Sequence, residues 1–122
     1  MEEQNELNLG IGTKENVALK PAKVKIEKIS IEPAGKGKKV SCEVKHPDKE
    51  ETIKISELRF IKGTEVVVSG TWLNQDEDGL IRKGSALATL LTFLDCKTIK
   101  DLEGKEVQTE LDAKGYLCFK AY

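Results

Sequence analysis

The sequence contains few of the residues from which most active sites and metal centres are built. Its single histidine, His46, precedes Pro47 and has no second histidine or cysteine at ligand spacing, so we interpret it as a turn residue. No serine or cysteine lies in a nucleophile-elbow pattern. The Gly-Lys-Gly-Lys run at 35–38 lacks the strand-to-helix context of a phosphate-binding loop. The sequence therefore predicts neither an enzyme nor a cofactor-binding protein.

Cysteine is also scarce, and its arrangement excludes two frameworks that stabilise small domains. The three cysteines are widely spaced and set among apolar residues, at Cys42, Cys96 and Cys118. A disulfide framework or a zinc knuckle would need paired cysteines at characteristic spacings. We expect three buried, reduced thiols, which indicates a reducing compartment.

Long hydrophobic runs are absent as well. The acidic residues 1–6 are followed by no apolar run of signal-peptide length, and nothing later approaches the roughly 20 apolar residues that a membrane span requires. The expectation is a soluble, cytoplasmic protein without a membrane partner. With 122 residues, 39% of them hydrophobic, the chain is long enough to form one domain with its own core.

Charged residues, by contrast, make up 34% of the chain and are unevenly distributed. Residues 17–63 contain twelve Lys or Arg against seven Asp or Glu, whereas residues 1–16 and 64–122 each carry a net charge of −3. The overall net charge of −1 therefore conceals a basic middle segment. Such a distribution is typical of a protein with one positive face, and equally of a well-solvated surface of mixed charge.

One stretch has helical spacing. Within residues 85–94, four leucines recur at i, i+3, i+4 and i+7, which places them on one face of about three helical turns, and Ser85 is the candidate N-cap. The stretch therefore predicts a helix that faces the core. A shorter helical turn is predicted over 97–104, because Thr98 and Asp101 have the spacing of a capping box and Gly104 suits its end.

The segment after Pro21 has the alternation of a β-strand with one interruption. Val24 and Ile26 alternate in one phase, whereas Ile29 and Ile31 alternate in the other. One extra residue in a strand reverses the facing of its side chains and bends it. The pattern therefore predicts a β-bulge at residues 27–28.

Five further strands follow from alternation and turn residues. Residues 40–45 and 52–56 alternate regularly, and a second change of phase falls at 56–57. The run 64–73 has apolar residues on both faces, as in a central strand, and these early strands should pair as an antiparallel meander. Residues 106–122 predict a final hairpin.

The order of these elements predicts a mainly β (α+β) fold, an antiparallel β-barrel with one capping helix before the C-terminal hairpin. A first strand bent by a bulge can serve two sheets, as a small closed barrel requires. We assign residues 21–122 to this barrel domain and residues 1–20 to a flexible acidic N-terminal arm. In that arm, Leu7, Leu9 and Ile11 are available to dock on the body of the domain.

The order of the chain's strands and helix resembles that of the OB-fold, a five-stranded barrel that binds oligonucleotides. The additional strand of this chain would arise by splitting the third strand in two. More narrowly, the segments 84–91, 102–107 and 115–119 resemble the C-terminal half of phage-type single-stranded DNA-binding proteins, in which a helix precedes a Leu-x-Gly-Lys-x-Val strand and a last strand. The resemblance covers about residues 80–122 and implies an OB-like barrel whose early strands and loops bind DNA. That family often has an acidic C-terminal tail, whereas this chain ends in Lys-Ala-Tyr, so recruitment of partners by such a tail is not expected.

Cations and a few aromatic residues form the candidate binding site. Cations spread over a curved sheet neutralise phosphates and release counterions, and aromatic rings stack on unpaired bases. Competing interpretations are that Trp72 and Phe60 are core residues and that outward lysines protect strand edges from aggregation. The nucleic-acid-binding candidates are Lys23, Lys25, Lys36, Lys38, Lys39, Lys45, Lys54, Arg59, Lys62, Trp72 and Tyr116.

The functional hypothesis is binding of single-stranded DNA or RNA through a basic concave β face, with little sequence preference and with an affinity that falls steeply with salt. The acidic arm would compete for the basic face when no nucleic acid is bound. The alternative is a protein-interaction or self-assembling structural subunit. Such a homo-oligomer would use a sheet edge or residues 7–11 to join partners or copies of itself.

The acidic loop at residues 74–79 has part of the pattern of a calcium-binding loop. Asn74, Asp76, Asp78 and Gly79 occupy positions 1, 3, 5 and 6 of the first half of an EF-hand loop. Position 12 would be Ser85, where a bidentate Glu is needed, and the preceding segment is a strand rather than a helix. We interpret the loop as an acidic surface turn, with a calcium site as the competing hypothesis.

Overall fold

A computed structural model describes residues 7–11 and 19–122 of the protein. The prediction of a mainly β fold with one α-helix is confirmed for this part of the chain. In chain order its elements are β1 (Lys23–Ala34), β2 (Gly37–Lys45), β3 (Ile53–Ile55), β4 (Glu57–Lys62), β5 (Glu65–Gly70), α1 (Ala86–Phe93), a 3-10 helix (Ile99–Leu102), β6 (Glu106–Leu111) and β7 (Leu117–Ala121).

The predicted N-terminal arm is described only in part, because residues 1–6 and 12–18 lie outside the described residues. The side chains of Leu7, Leu9 and Ile11 are exposed. The prediction that they dock on the body is therefore wrong, since no described part of the body covers them.

The strands form one mixed sheet in the order β3-β2-β1-β6-β7-β4-β5. Its neighbours are antiparallel except for β4 and β7, which run parallel. A parallel pair needs a long crossover between its strands, and here that crossover contains α1 and the 3-10 helix. The strand order has β3 and β5 at its two ends, so the sheet is not closed into the all-antiparallel barrel that the sequence predicts.

The predicted bulge in β1 is confirmed. The register of β1 with β2 shifts between Ile26 and Lys28. The first residues of β1 also pair with β6, and the backbone N–H of Ile26 donates to the carbonyl of Lys105 at 2.9 Å. The bend thus lets one strand pair on both of its sides.

The second predicted change of phase separates β3 from β4 at Ser56. Ile55 and Leu58 are both buried in the core. They are three residues apart, and in one regular strand residues at this spacing would point to opposite faces of the sheet. After this break β3 pairs with β2, whereas β4 pairs with β5 and β7. The split third strand therefore joins the two halves of the sheet through the chain itself, without a continuous ladder.

The run 64–73 is wrongly predicted as a central strand. Its ordered strand, β5, pairs only with β4 and lies at the end of the sheet, with Val66 and Val68 exposed. Beyond β5 the chain turns towards β2, because the N–H of Val40 donates to the carbonyl of Thr71 at 2.9 Å and that of Leu73 donates to the carbonyl of Lys38 at 2.8 Å. Apolar residues on both faces thus reflect an exposed edge and not a second covering layer.

The helix α1 covers the core as its leucine spacing predicts. The hydroxyl of Ser85 accepts the N–H of Ala88 at 3.2 Å and caps the helix, whose Leu87, Leu90 and Leu91 are buried. These leucines pack with the inner residues of the sheet, among them Val24, Ile26, Val40, Val44, Leu58, Val107 and Phe119. Neither helix of the described chain is long and apolar enough to cross a membrane.

The short helical turn predicted after α1 is present as the 3-10 helix, with the capping box of Thr98 and Asp101 in place. Gly104, at its end, adopts a φ of +83°, where a residue with a Cβ would be strained. The final hairpin of β6 and β7 is also confirmed.

Candidate nucleic-acid interface

The outer side of β1, β2 and β3 gathers most of the early lysines. Val40, Cys42 and Val44 of β2 point into the core, so the residues between them point outwards. The register places Lys25 opposite Lys45, and Lys28 opposite Glu43. We call the lysines on this side the basic face: Lys23, Lys25, Lys28, Lys39, Lys45 and Lys54.

Lys28 is a member of the basic face that the sequence reasoning did not include among the candidates. Its neighbour Glu27 lies at the bulge, which restores Lys28 to the outer side of the sheet. The change of phase between Val24–Ile26 and Ile29–Ile31 was the signal from which its direction could have been derived.

Two like charges face each other at one end of the basic face. Lys25 and Lys45 are directly opposite in the ladder, and neither forms an ion pair in the described structure. The ammonium group of Lys45 donates to the carbonyl of His46 at 2.9 Å and to that of Lys49. Opposed lysines destabilise a strand pair, and a bound anion would relieve that repulsion.

The middle of the basic face is partly neutralised. The Lys54 ammonium lies 2.9 Å from a carboxylate oxygen of Glu32. Each charge favours the ionised form of the other, so hydrogen bonding to Glu32 raises the pKa of Lys54 and hydrogen bonding to Lys54 lowers the pKa of Glu32. Lys54 is therefore less available to a phosphate than its exposed neighbours.

Trp72 and Lys39 form a contact at the end of the basic face that lies away from Lys25 and Lys45. The Lys39 ammonium lies 4.8 Å from the centroid of the Trp72 ring, and a bridge links these residues across the gap between β2 and the chain after β5. Gly37 and Gly70 both border the ring, and Gly70 leaves the space that it occupies. The core interpretation of Trp72 is confirmed only in part, since its side chain is half-buried.

The turn between β1 and β2 adds two exposed cations beside this contact. Lys36 lies in the turn itself and Lys38 is the ladder partner of Pro33 at the start of β2. In the described ranges 7–11 and 19–122, ion pairs connect only Lys54 with Glu32 and Arg59 with Glu110. The cations of the turn are thus not paired with described carboxylates.

Arg59 and Lys62 do not join the basic face. Arg59 lies on β4, where its Nη1 donates to the carbonyl of Leu111 at 3.0 Å and its Nε is 3.8 Å from a carboxylate oxygen of Glu110. The hydroxyl of Tyr122 donates to the same oxygen at 2.6 Å. Lys62 closes the hairpin of β4 and β5 at its tip. These two candidates belong to the opposite half of the sheet.

Phe60 and Tyr116, the other two aromatic residues considered from the sequence, differ in their exposure to solvent. Phe60 is buried in the core, as one interpretation of the sequence predicts. Tyr116 is 68% exposed in the turn between β6 and β7, where it lines a groove with Lys54 and Ile53. Tyr116 is therefore the aromatic candidate that lies beside the middle of the basic face.

The acidic loop has the geometry of a hydrogen-bonded turn. One carboxylate oxygen of Asp76 accepts the N–H groups of Asp78 and Leu80 at 2.9 and 3.0 Å. The N–H of Gly79 donates to the carbonyl of Asp76 at 3.0 Å. Among the residues with described positions, no group of three His, Cys, Asp or Glu is placed to hold a metal ion.

The cysteines have the environment of structural thiols. Burial raises the pKa of Cys42 to about 12 and that of Cys118 to about 11, and it also raises the pKa of the half-buried Cys96. A thiol reacts as a nucleophile through its thiolate, which burial disfavours here. All three are free thiols.

His46 has a structural role that its sequence context did not reveal. The side chain is completely buried, although the sequence predicts only a turn residue. Its Nδ1 accepts the N–H of Asp48 at 3.0 Å, so Nε2 carries the proton that is donated to the carbonyl of Lys20 at 2.8 Å. His46 thereby connects the end of β2 to the chain that enters β1, next to the opposed Lys25 and Lys45.

Comparison with known proteins finds no matching family model, no matching curated protein and no matching solved structure.

Proposed function

We propose that this protein binds single-stranded nucleic acid on the basic face, without catalysis and with little sequence preference. The observation that carries the proposal is the placement of six lysines on the outer side of three adjacent strands; among the residues that the structure describes, only Lys54 of these six is paired to a carboxylate. On β2, Lys39 and Lys45 are six residue steps apart, a span of roughly 20 Å at about 3.3 Å per residue. Such a row suits contact with several successive phosphates.

We also propose that the sheet is an OB-like arrangement related to the phage-type single-stranded DNA-binding proteins. Three features support this: β1 pairs with both β2 and β6, β7 pairs in parallel with β4, and a helix lies between the early strands and the last hairpin. The hydrogen bonds of residues 71–73 to β2 draw the two ends of the sheet towards each other. The lysines of the basic face point away from the core that the curled sheet surrounds, so nucleic acid would lie along the outer side of the sheet.

Two aromatic residues flank this face and are available for stacking. Trp72 contacts Lys39 near the turn between β1 and β2, and Tyr116 lies beside Lys54. Stacking on an aromatic ring tolerates any base, which fits a protein without base-specific contacts. Phosphate contacts would then supply most of the affinity and make it sensitive to salt.

The test is fluorescence anisotropy with a labelled single-stranded oligonucleotide at several salt concentrations. The triple variant Lys23→Ala, Lys25→Ala and Lys28→Ala removes three exposed cations from the basic face. If each contacts one phosphate, the slope of log affinity against log salt should fall by about 2, at about 0.7 per contact for single strands.

The control variant replaces three exposed lysines elsewhere, Lys83, Lys97 and Lys100, and changes the net charge by the same amount. It should retain both the affinity and the slope of the original protein. Equal losses in the two variants would reduce the effect to net charge alone, and no binding at low salt would overturn the proposed function.

A further inference from the structure

The two ends of the sheet differ in how they are protected against pairing with another chain. β3, at one end, has only three residues and carries Lys54 at its centre. β5, at the other end, has six residues with three consecutive valines, and its register with β4 is regular. Short length, lysine, proline and bulges are the devices that protect natural edge strands, and β5 has none of them.

The backbone of β5 has hydrogen-bonding groups directed away from the sheet. A turn of two residues joins β4 to β5, with Lys62 opposite Glu65, and such a turn is closed by a hydrogen-bonded pair. Because bonding alternates along an antiparallel ladder, Glu65 and Val67 bond to β4, whereas the N–H and C=O groups of Val66 and Val68 point outwards. In the part of the chain that the structure describes, no strand pairs with this side of β5.

The side chains beside this edge are apolar and accessible. Val66 and Val68 are 42% and 43% exposed, and Ile61, which faces Val66 across the ladder, is 52% exposed. The three share the outer side of the hairpin. The edge of the sheet at β5 thus combines backbone groups that point away from the sheet with an exposed apolar strip.

We propose that two copies of this chain form a dimer by antiparallel pairing of their β5 strands about a two-fold axis at Val67. This register sets Val66 of each copy against Val68 of the other, and all four residues present outward N–H and C=O groups, so four hydrogen bonds form. Glu65 then faces Ser69 of the second copy, and no like charges oppose each other. The dimer goes beyond the proposed nucleic-acid binding and does not depend on it.

The register makes a charge test possible. In the variant Val66→Lys with Val68→Lys, each new lysine faces a lysine of the other copy, which destabilises the pairing. In the variant Val66→Lys with Val68→Glu, each lysine faces a glutamate of the other copy, so the pairing is retained. The control Ile31→Lys places a lysine at an exposed apolar residue of β1, away from β5.

Light scattering and sedimentation equilibrium over a concentration series measure the mass of each full-length variant, and circular dichroism checks that each is folded. The original protein, the Lys/Glu variant and the control should show twice the chain mass of 13.5 kDa, and the Lys/Lys variant the chain mass itself. A monomeric original protein, or a Lys/Lys variant that stays dimeric, would overturn the proposal. Dissociation of the folded Lys/Glu variant would overturn the register at Val67.

Discussion

The Lys39 ammonium lies 4.8 Å from the centroid of the Trp72 ring, and Gly70 is the residue that permits this contact. A Cβ at position 70 would lie 2.6 Å from Cε of Lys39 and 2.9 Å from Nε1 of Trp72. Gly37 also borders the ring, but a Cβ there would meet it at 3.6 Å, an ordinary contact distance. Two glycines beside one tryptophan therefore have different steric roles.

We expect Gly70→Ala to displace the Lys39–Trp72 pair and to lower the free energy of unfolding by about 1–2 kcal/mol, the usual cost of overpacking. Tryptophan fluorescence and urea denaturation measure the two effects together. Gly37→Ala is the matched control and should leave the emission maximum and the stability nearly unchanged. A Gly70→Ala protein with unaltered emission would show that the ring has more free space than the contact distances indicate.

Trp72 is the only tryptophan, so its emission reports on one place in the fold. If bases stack near it, a single-stranded oligonucleotide should quench its fluorescence with the same midpoint as the anisotropy signal. Lys39→Ala removes the cation beside the ring and should weaken binding while the quenching remains. Binding by anisotropy without any change in emission would place the nucleic acid away from Trp72.

His46 should contribute strongly to stability, because its removal leaves the Asp48 N–H and the Lys20 carbonyl without their partner. We expect His46→Ala to cost about 2–4 kcal/mol in the free energy of unfolding, from two lost hydrogen bonds and the space left by a buried ring. Asp48→Ala retains the backbone N–H and the imidazole, and should change stability by less than about 0.5 kcal/mol. A small effect of His46→Ala in urea denaturation would argue against this connection.

Two turn carboxylates should make stability depend on acid pH. Hydrogen bonds from the backbone N–H groups of Lys97 and Thr98 lower the pKa of Asp101 below 3.8, and those of Tyr116 and Lys114 do the same for Asp112. A pKa lowered by folding contributes stability that is complete above the unfolded pKa and is lost as the pH falls through the folded pKa.

The midpoint of thermal unfolding should therefore fall as the pH is lowered from about 5 to about 2, and less steeply in Asp101→Asn and Asp112→Asn. Asp78→Asn is the control, because the Asp78 carboxylate accepts no hydrogen bond in the described structure. Equal acid slopes in all four proteins would contradict the role of these turns.

Local patterns predicted the features that depend on near neighbours in the chain. The change of phase around Glu27 predicts the bulge, that at Ser56 predicts the break between β3 and β4, and Ser85 caps α1 as expected. In each case the controlling interaction spans only a few residues. Side-chain direction in a strand or helix follows from periodicity alone, so the direction of Lys28 could also have been derived.

The role of β5 shows why other features could not be predicted. Its valines suit a central strand and an uncovered edge equally, and only the position of β7 beside β4 leaves β5 at the end of the sheet. The same applies to the ion pair of Lys54 with Glu32, whose partners are 22 residues apart. Lysine content alone does not reveal which cations are neutralised.

The sequence by itself determined the β class, the helix, the bulge and the direction of the lysines, because backbone sterics and side-chain periodicity act over a few residues. The tertiary structure decided which strands became edges, which cations gained carboxylate partners and that His46 is buried. These outcomes depend on contacts between segments distant in the chain. The free energy of such a contact is determined by what the fold places beside each residue, which no local pattern contains.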